Sequence, residues 1–303
     1  MDCPDNGSDP RFLNYFCYSA VMHSFLTISL ISSLLLLTGN ASANPWETVG
    51  HPAPLAPASI GTYTNGCLSG AEQMPLRGEG FQLVRTGRNR HYAHPATVAF
   101  LKEFASSVAH NGLGRLQIGD MSMARGGPFR SGHRSHQTGL DVDIWYSQDK
   151  RAAERPLTPW ERDNISAIPL ADERNHQLIE KNWNDKVPRI LRLAAEDDRV
   201  ERIFVHPTIK RKLCAIAGSD NQWLRKVRPW WGHNYHFHVR LACPEGDGSC
   251  KPQRPVNNAP CGADLDWWFS DEFYAMLKGT APTPEKPKPK PMPQQCQQVL
   301  NAP

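Results

Sequence analysis

Two short polar runs, far apart in the chain, have to meet in the folded protein. The first reads Ser135-His136-Gln137-Thr138-Gly139-Leu140-Asp141-Val142-Asp143, and the second His233-Asn234-Tyr235-His236-Phe237-His238. Along a strand, residues i and i+2 face the same side. His236 and His238 therefore point together while Phe237 points away. Asp141 and Asp143 share a face in the same way, and residues 141–145 alternate like a half-buried strand. His136 lies just before that strand, across a turn that Gly139 makes possible. Two neighbouring strands then offer imidazoles and a carboxylate to one cleft. This pattern assigns His136, Asp143 and His238 as ligands of a Zn2+ ion. Water would take the fourth position, the feature that separates a hydrolytic zinc from a structural one.

The elements around these runs predict an α+β fold. Residues 95–111 read as a helix, with Val98, Leu101, Ala105 and Val108 at helical spacing, Pro95 in the first turn and Gly112 at the exit. Residues 186–196 and 208–217 give two more helices. Strands are expected over 115–122, 202–206 and 235–243. Helices mixed with strands that do not alternate regularly suit one domain: a small, mostly antiparallel sheet carrying the ligands, with helices packed around it. The domain is expected over 44–279, beginning with an extended Pro/Ala-rich stretch to residue 60. A Pro/Lys-rich tail follows over 280–303, extended as far as Pro293.

The N-terminal part carries a different signal. Residues 25–37 are almost wholly apolar or small, too few for a comfortable membrane span, and Ala41-Ser42-Ala43 follows as a small-x-small cleavage site. Residues 1–43 are therefore expected to be an N-terminal extension and signal peptide, with Met22 a more natural start than Met1. Export to the periplasm without stable membrane insertion is expected. Cleavage would leave 33 basic against 27 acidic residues, a mild positive balance that suits an anionic polymer surface. The six cysteines beyond residue 43 read as disulfides in such a compartment, and none has C-x-x-C spacing.

The same residues carry a family resemblance. His-x-x-Gly-x-Asp-x-Asp with a downstream His-x-His resembles the zinc peptidase group that includes lysostaphin-type enzymes, D-Ala-D-Ala carboxypeptidases and sonic-hedgehog-like folds. Within it the chain is most similar to the penicillin-insensitive murein endopeptidases. The likeness extends through Ser59-Ile60-Gly61, Asn65-Gly66-Cys67, Ile118-Gly119-Asp120-Met121, residues 132–143, Ile203-Phe204-Val205, residues 223–228, His236-Phe237-His238-Val239-Arg240 and the six cysteines. The resemblance implies hydrolysis of D-alanyl-meso-diaminopimelyl cross-links in peptidoglycan, indifferent to β-lactams. It implies no nucleic-acid partner. Related carboxypeptidases place a Glu shortly before the last zinc ligand; here Trp230 to Tyr235 contain no carboxylate. The base must then be His233 or His236, with His236 expected closest to the metal and His233 its partner. Asp141 is expected to hydrogen-bond a ligand His rather than bind metal. The family also suggests a second metal at His133 with Asp172 or Glu173 and His176, where the spacing departs from its pattern. A solvated loop suits those residues equally well.

Other readings compete. A D,D- or L,D-carboxypeptidase or dipeptidase of the same fold would need a basic pocket for a free carboxylate, and Arg228 or Arg240 could supply one. A zinc-stabilised module without activity would not need an open position or a nearby His pair. Ser147-Gln148-Asp149-Lys150 and Ser219-Asp220-Asn221 match two motifs of penicillin-binding serine enzymes, but no Lys-Thr-Gly completes the set. Trp145, Trp230 and Trp231 suit a substrate groove or a core. His51, His91, His94, His110 and His206 read as structural or exposed.

Sequence alone does not choose among the cysteine pairings. Cys243 and Cys250 sit across Pro244, Gly246 and Gly248, so a small closed loop is feasible. Cys214 with Cys261 would flank the 235–243 strand, leaving Cys67 with Cys296 to tether the tail. The resembled family is consistent with that set.

Overall fold

The site is carried by the middle of a seven-stranded mixed sheet. The structure, a computed structural model, describes residues 44–281 and 290–303. The expected signal segment and part of the Pro/Lys-rich tail lie outside the described residues. In spatial order the strands are Val227–Pro229, Val200–Val205, His236–Leu241, Asp141–Trp145, Leu116–Ile118, Phe81–Leu83 and Arg77–Gly78. Two of the pairings are parallel, Val200–Val205 with Val227–Pro229 and Phe81–Leu83 with Leu116–Ile118; the rest are antiparallel. The α+β class stands, on a wider sheet than the sequence suggests. The added strands are only two or three residues long, too short to show a period.

The two predicted ligand strands are direct neighbours, with His238 opposite Asp143 and Arg240 opposite Asp141. All five residues of Asp141–Trp145 are buried, so the expected half-buried strand is corrected. Val142 and Ile144 enter the apolar core beside Phe237 and Val239. Asp141 and Asp143 enter the opposite face, where histidines and an arginine cover them. Burying carboxylates is tolerable only because each meets charged or hydrogen-bonding partners.

The helix Pro95–His110 packs Val98, Leu101, Ala105 and Val108 onto that core. His94 Nδ1 caps it by accepting from the Ala96 N–H. Lys186–Glu196 forms as expected, and Pro207–Ala217 is capped in the same manner by His206. The strand expected over 115–122 ends at Ile118. Beyond it the chain turns to another segment: Met121 N–H donates to the Arg90 carbonyl, and Ser122 pairs with Tyr92. The Pro/Ala-rich start is not wholly extended, since Asn44 caps a short helix, Pro45–Thr48, whose Trp46 is buried.

All three expected disulfides are present: Cys67–Cys296, Cys214–Cys261 and Cys243–Cys250. The chain end packs on the domain. Gln295–Asn301 is helical, and Cys296 and Val299 join Trp46, Ile60 and Met123 in a second apolar cluster. Arg125, 1% exposed, donates to the carbonyls of Val299, Leu300, Ala302 and Pro303.

Candidate metal centre

Asp143 is the hub of the site. Its Oδ1 lies 3.4 Å from His136 Nε2, 3.4 Å from His238 Nδ1 and 3.5 Å from His236 Nε2. Its Oδ2 lies 3.1 Å from His133 Nε2. Four imidazoles thus surround one buried carboxylate. His133, His136 and Asp143 offer ligand atoms within 4.8 Å of one another, a group able to hold a metal ion.

The local chain conformation builds this cluster. Gly139 has φ +73°, and a Cβ there would lie 2.7 Å from the His94 backbone nitrogen, so only glycine fits the turn. His136 itself has φ +67°, a costly conformation for a non-glycine residue. Two hydrogen bonds hold it there. Its N–H donates to Asp141 Oδ2 at 3.0 Å, and its Nδ1 lies 2.7 Å from the Met121 carbonyl. A ring nitrogen facing a carbonyl must carry the proton, which leaves Nε2 bare and pointing at Asp143. His238 is fixed from the other side. Its Nε2 lies 2.7 Å from Asp141 Oδ1, leaving Nδ1 toward Asp143. Asp141 also accepts from Arg240 Nε at 2.7 Å. It therefore hydrogen-bonds two histidines and an arginine.

The residues fit a metal ion. His136 Nε2, Asp143 Oδ1 and both ring nitrogens of His236 are buried without any hydrogen-bond partner. Buried polar atoms are rarely left unpaired, and a cluster of orphaned lone pairs is what a cation satisfies. The charge states agree. Burial pushes His238 down to about 3 against the pull of Asp141. Burial does the same to His236, also to about 3. Both are neutral, the form that binds metal. Burial would raise Asp143, but the surrounding His133, His236 and His136 hold it well below the usual carboxylate range. His133 is shifted the other way: burial would lower it, and Asp143 with Asp120 raises it.

The remaining expectations divide. His233 and His236 lie together, with ring centres 5.0 Å apart, and His233 Nδ1 faces the Trp231 carbonyl at 2.9 Å. Among the described residues, the group of three ligand side chains close enough for a metal takes His133 with His136 and Asp143, not with Asp172 and His176. His133 faces the Asp143 cluster. The Asp172 carboxylate instead accepts from Arg174 N–H and from Asn175, closing its own turn. His176 is stacked on Phe269, with Nδ1 at the Tyr274 hydroxyl. Trp145 is buried, Trp231 packs on His206, and Trp230 is 55% exposed. Ser147 Oγ accepts from the Ile168 N–H, and Ser219 is exposed, so neither is placed as a nucleophile.

Asp120 carries no site expectation from sequence. Its carboxylate lies 3.6 Å from His133 Nε2 and pairs with Arg88 and Arg90, while its carbonyl accepts from the Asp143 N–H. The available signal was its position at the end of a short apolar strand, just before the loop that feeds His133 and His136.

A histidine and aspartate group of this kind, set on neighbouring strands of an α+β sheet, is the centre of a metallopeptidase. The model of the family described as penicillin-insensitive murein endopeptidase matches residues 59–301. A penicillin-insensitive murein endopeptidase of Klebsiella pneumoniae (strain 342) is 40% identical over 279 residues, covering 91% of this chain and 97% of that protein. One of Shigella sonnei (strain Ss046) is 41% identical over 277 residues, covering 89% and 97%. One of Salmonella typhi is 40% identical over 268 residues, covering 87% and 93%. The chain belongs to the penicillin-insensitive murein endopeptidase family, whose general activity is peptidoglycan hydrolysis.

Proposed function

We propose that this chain holds one zinc ion through His136, Asp143 and His238 and cleaves D-alanyl-meso-diaminopimelyl cross-links of peptidoglycan. The observation that carries the reading is the orphaned Asp143 Oδ1, flanked at 3.4 Å by one bare nitrogen from His136 and one from His238. A second partner fixes each of those two rings, as is usual for metal-binding histidines. His133 and His236 lack that feature. Zinc in this position supplies a Lewis acid for the peptide carbonyl and lowers the pKa of water toward ~7.

The chain's own residues supply the rest. His236 has both ring nitrogens unpartnered, with Nε2 3.5 Å from Asp143 Oδ1, so its position suits a group that takes a proton beside the metal. His233 keeps its Nδ1 proton on the Trp231 carbonyl, which leaves Nε2 free to relay. At the rim, burial would lower His133, but Asp143 and Asp120 raise it and favour its charged form. Arg240 donates to Asp141 and to Gln253, so it is not free to anchor a substrate carboxylate next to the metal. Arg228, the other candidate, stands two strands from His238, too far to hold a carboxylate on the residue beside the scissile bond, and the two placements together favour an internal bond over a chain end.

Export to the periplasm with removal of residues 1–43 belongs to the same reading, and three disulfides suit an oxidising compartment. Among the described residues no helix is long and apolar enough to cross a membrane. The deciding assay gives purified protein cross-linked and uncross-linked muropeptides. Dimers should fall to monomers, blocked by chelators and untouched by β-lactams. Release of terminal D-alanine with dimers left intact would instead make it a carboxypeptidase.

Two further results are expected here. His236→Ala should keep its zinc and lose roughly two to four orders of magnitude in rate, with His233→Ala affected through the same proton path. Full activity in both would move the base elsewhere. Asp141→Asn should weaken zinc binding by roughly 10–100-fold, because His238 and His136 lose the carboxylate that orients them. Competition against a chromogenic chelator reads this directly, and wild-type affinity would remove Asp141 from the role.

A further inference from the structure

We propose that a cleft beside the metal cluster, walled by Arg202, Arg228, Trp230 and Trp268, is a subsite that binds a carboxylate of the substrate peptide. The proposal rests on the peptidoglycan reading above and names what that site would grip.

The sheet register places the cleft. Phe204 lies opposite both His238 and Arg228, and His238 lies opposite Asp143. Residues directly opposed on neighbouring strands share a face. One row therefore runs Arg228, Phe204, His238, Asp143 across the same face of the sheet. The next row runs Arg202, Arg240, Asp141. The Phe204 ring bridges the two regions, 5.2 Å from His238 and 5.9 Å from Trp230. Beyond it opens a cleft of about 330 Å³, with Asp264 and Trp267 on its far wall.

Three arginines face this side, in three different states. Arg240 is consumed by Asp141 and Gln253. Arg228 Nη2 meets Asp264 Oδ2 at 3.0 Å. Arg202 gives one amino group to the Arg254 carbonyl, but its Nε is buried with no partner. Both Arg202 and Arg228 line the cleft, and a carboxylate is the matched acceptor for a guanidinium. Two arginines against one aspartate leave the cleft positive by one charge. The tryptophans beside the guanidiniums lower the local polarity, which strengthens attraction to an anion. They also offer apolar surface to the chain that bears it.

Distance selects which carboxylate. From His238 to Arg228 is two strand spacings, roughly 10 Å. An extended peptide covers that in about three residues, at ~3.3–3.6 Å each. A carboxylate on the residue that supplies the scissile nitrogen falls short of the cleft. The carboxylate at the free end of the same stem reaches it.

The test is a binding measurement on the full zinc-loaded chain, made with an uncross-linked disaccharide-tetrapeptide. Three forms are titrated: the free acid, the form amidated at the terminal residue, and the form amidated on the diamino acid. Terminal amidation should weaken binding by about tenfold, the worth of one charge-assisted contact, and amidation of the diamino acid should matter less. Arg202→Gln and Arg228→Gln should each weaken the free acid about tenfold while leaving amide binding, zinc content and melting temperature in place. Arg228→Lys should recover part of the loss. Should the diamino-acid amide be the weakened form instead, the assignment of the terminal carboxylate to this cleft is overturned. Equal binding of all three forms, or an acid preference that survives in both glutamine variants, overturns the subsite. Cleavage of cross-linked dimers is read separately on the same protein. Dimers cut while acid and amide bind alike would remove only the subsite. An acid preference without any dimer cleavage would remove the reading on which it rests.

Discussion

Asp143→Ala protein should fold, purify without zinc and fail to cleave cross-linked muropeptides. Asp143 Oδ1 touches three imidazole nitrogens, so its loss removes one ligand and the charge that gathers the others. A shell with two protein ligands is incomplete for zinc. The fold should survive because Val142 and Ile144, which pack the core, are untouched. The change also removes a buried carboxylate whose burial is costly without its partners. His136→Ala and His238→Ala should give the same paired loss of metal and activity. His133→Ala is the informative contrast. His133, His136 and Asp143 also lie close enough to hold a metal, so two ligand sets share two residues. If His238 completes the set, His133→Ala keeps about one zinc per chain and His238→Ala does not. The opposite pattern by elemental analysis would exchange the two histidines. Normal zinc content in the variants of His136, Asp143 and His238 would sink the whole assignment.

The part of this site legible in sequence is the part with a short period. Residues i and i+2 on a strand share a face whatever the tertiary context, so His236 with His238 and Asp141 with Asp143 could be paired by spacing. The helix Lys186–Glu196 was legible for the same reason, at the helical period. What sequence hid is what tertiary pairing decides. Arg77–Gly78 and Val227–Pro229 are too short to show alternation and become strands only beside their neighbours. Residues 141–145 alternate like a half-wet strand, yet the polar face is sealed by side chains from other strands. Asp120 looks like an ordinary loop carboxylate until the fold brings it to His133. Arg228 and Arg240 look equivalent in sequence, and only the register shows that one is locked to Asp141 while the other lines an open cleft.

Opening the Cys67–Cys296 bond should lower the melting temperature by roughly 10 °C and expose the chain end to proteases. This bond spans 229 residues, against 47 and 7 for the other two. In the chain-entropy picture a loop of that length is worth ~5 kcal/mol, although measured values often fall nearer 2–4 kcal/mol. For a domain of this size each kcal/mol moves the midpoint by about 2–4 °C. The local structure explains why the loss would concentrate at the tail. Gln295–Asn301 is seven residues long, too short to persist as a helix without its packing. Cys296 and Val299 are buried against Trp46, Ile60 and Met123, and that cluster opens if the helix leaves. Arg125 then loses four backbone acceptors while still buried in the loop that precedes His133 and His136. The disturbance should reach the site, because Phe129 packs in the same cluster and stacks on the His136 ring at 5.9 Å. The Cys67→Ser, Cys296→Ser double variant separates the bond from general reduction. It should melt lower, lose its last residues first in limited proteolysis, and bind zinc more weakly than the parent. An unchanged midpoint with a protease-resistant tail would mean that Arg125 and the apolar cluster hold the chain end without the disulfide.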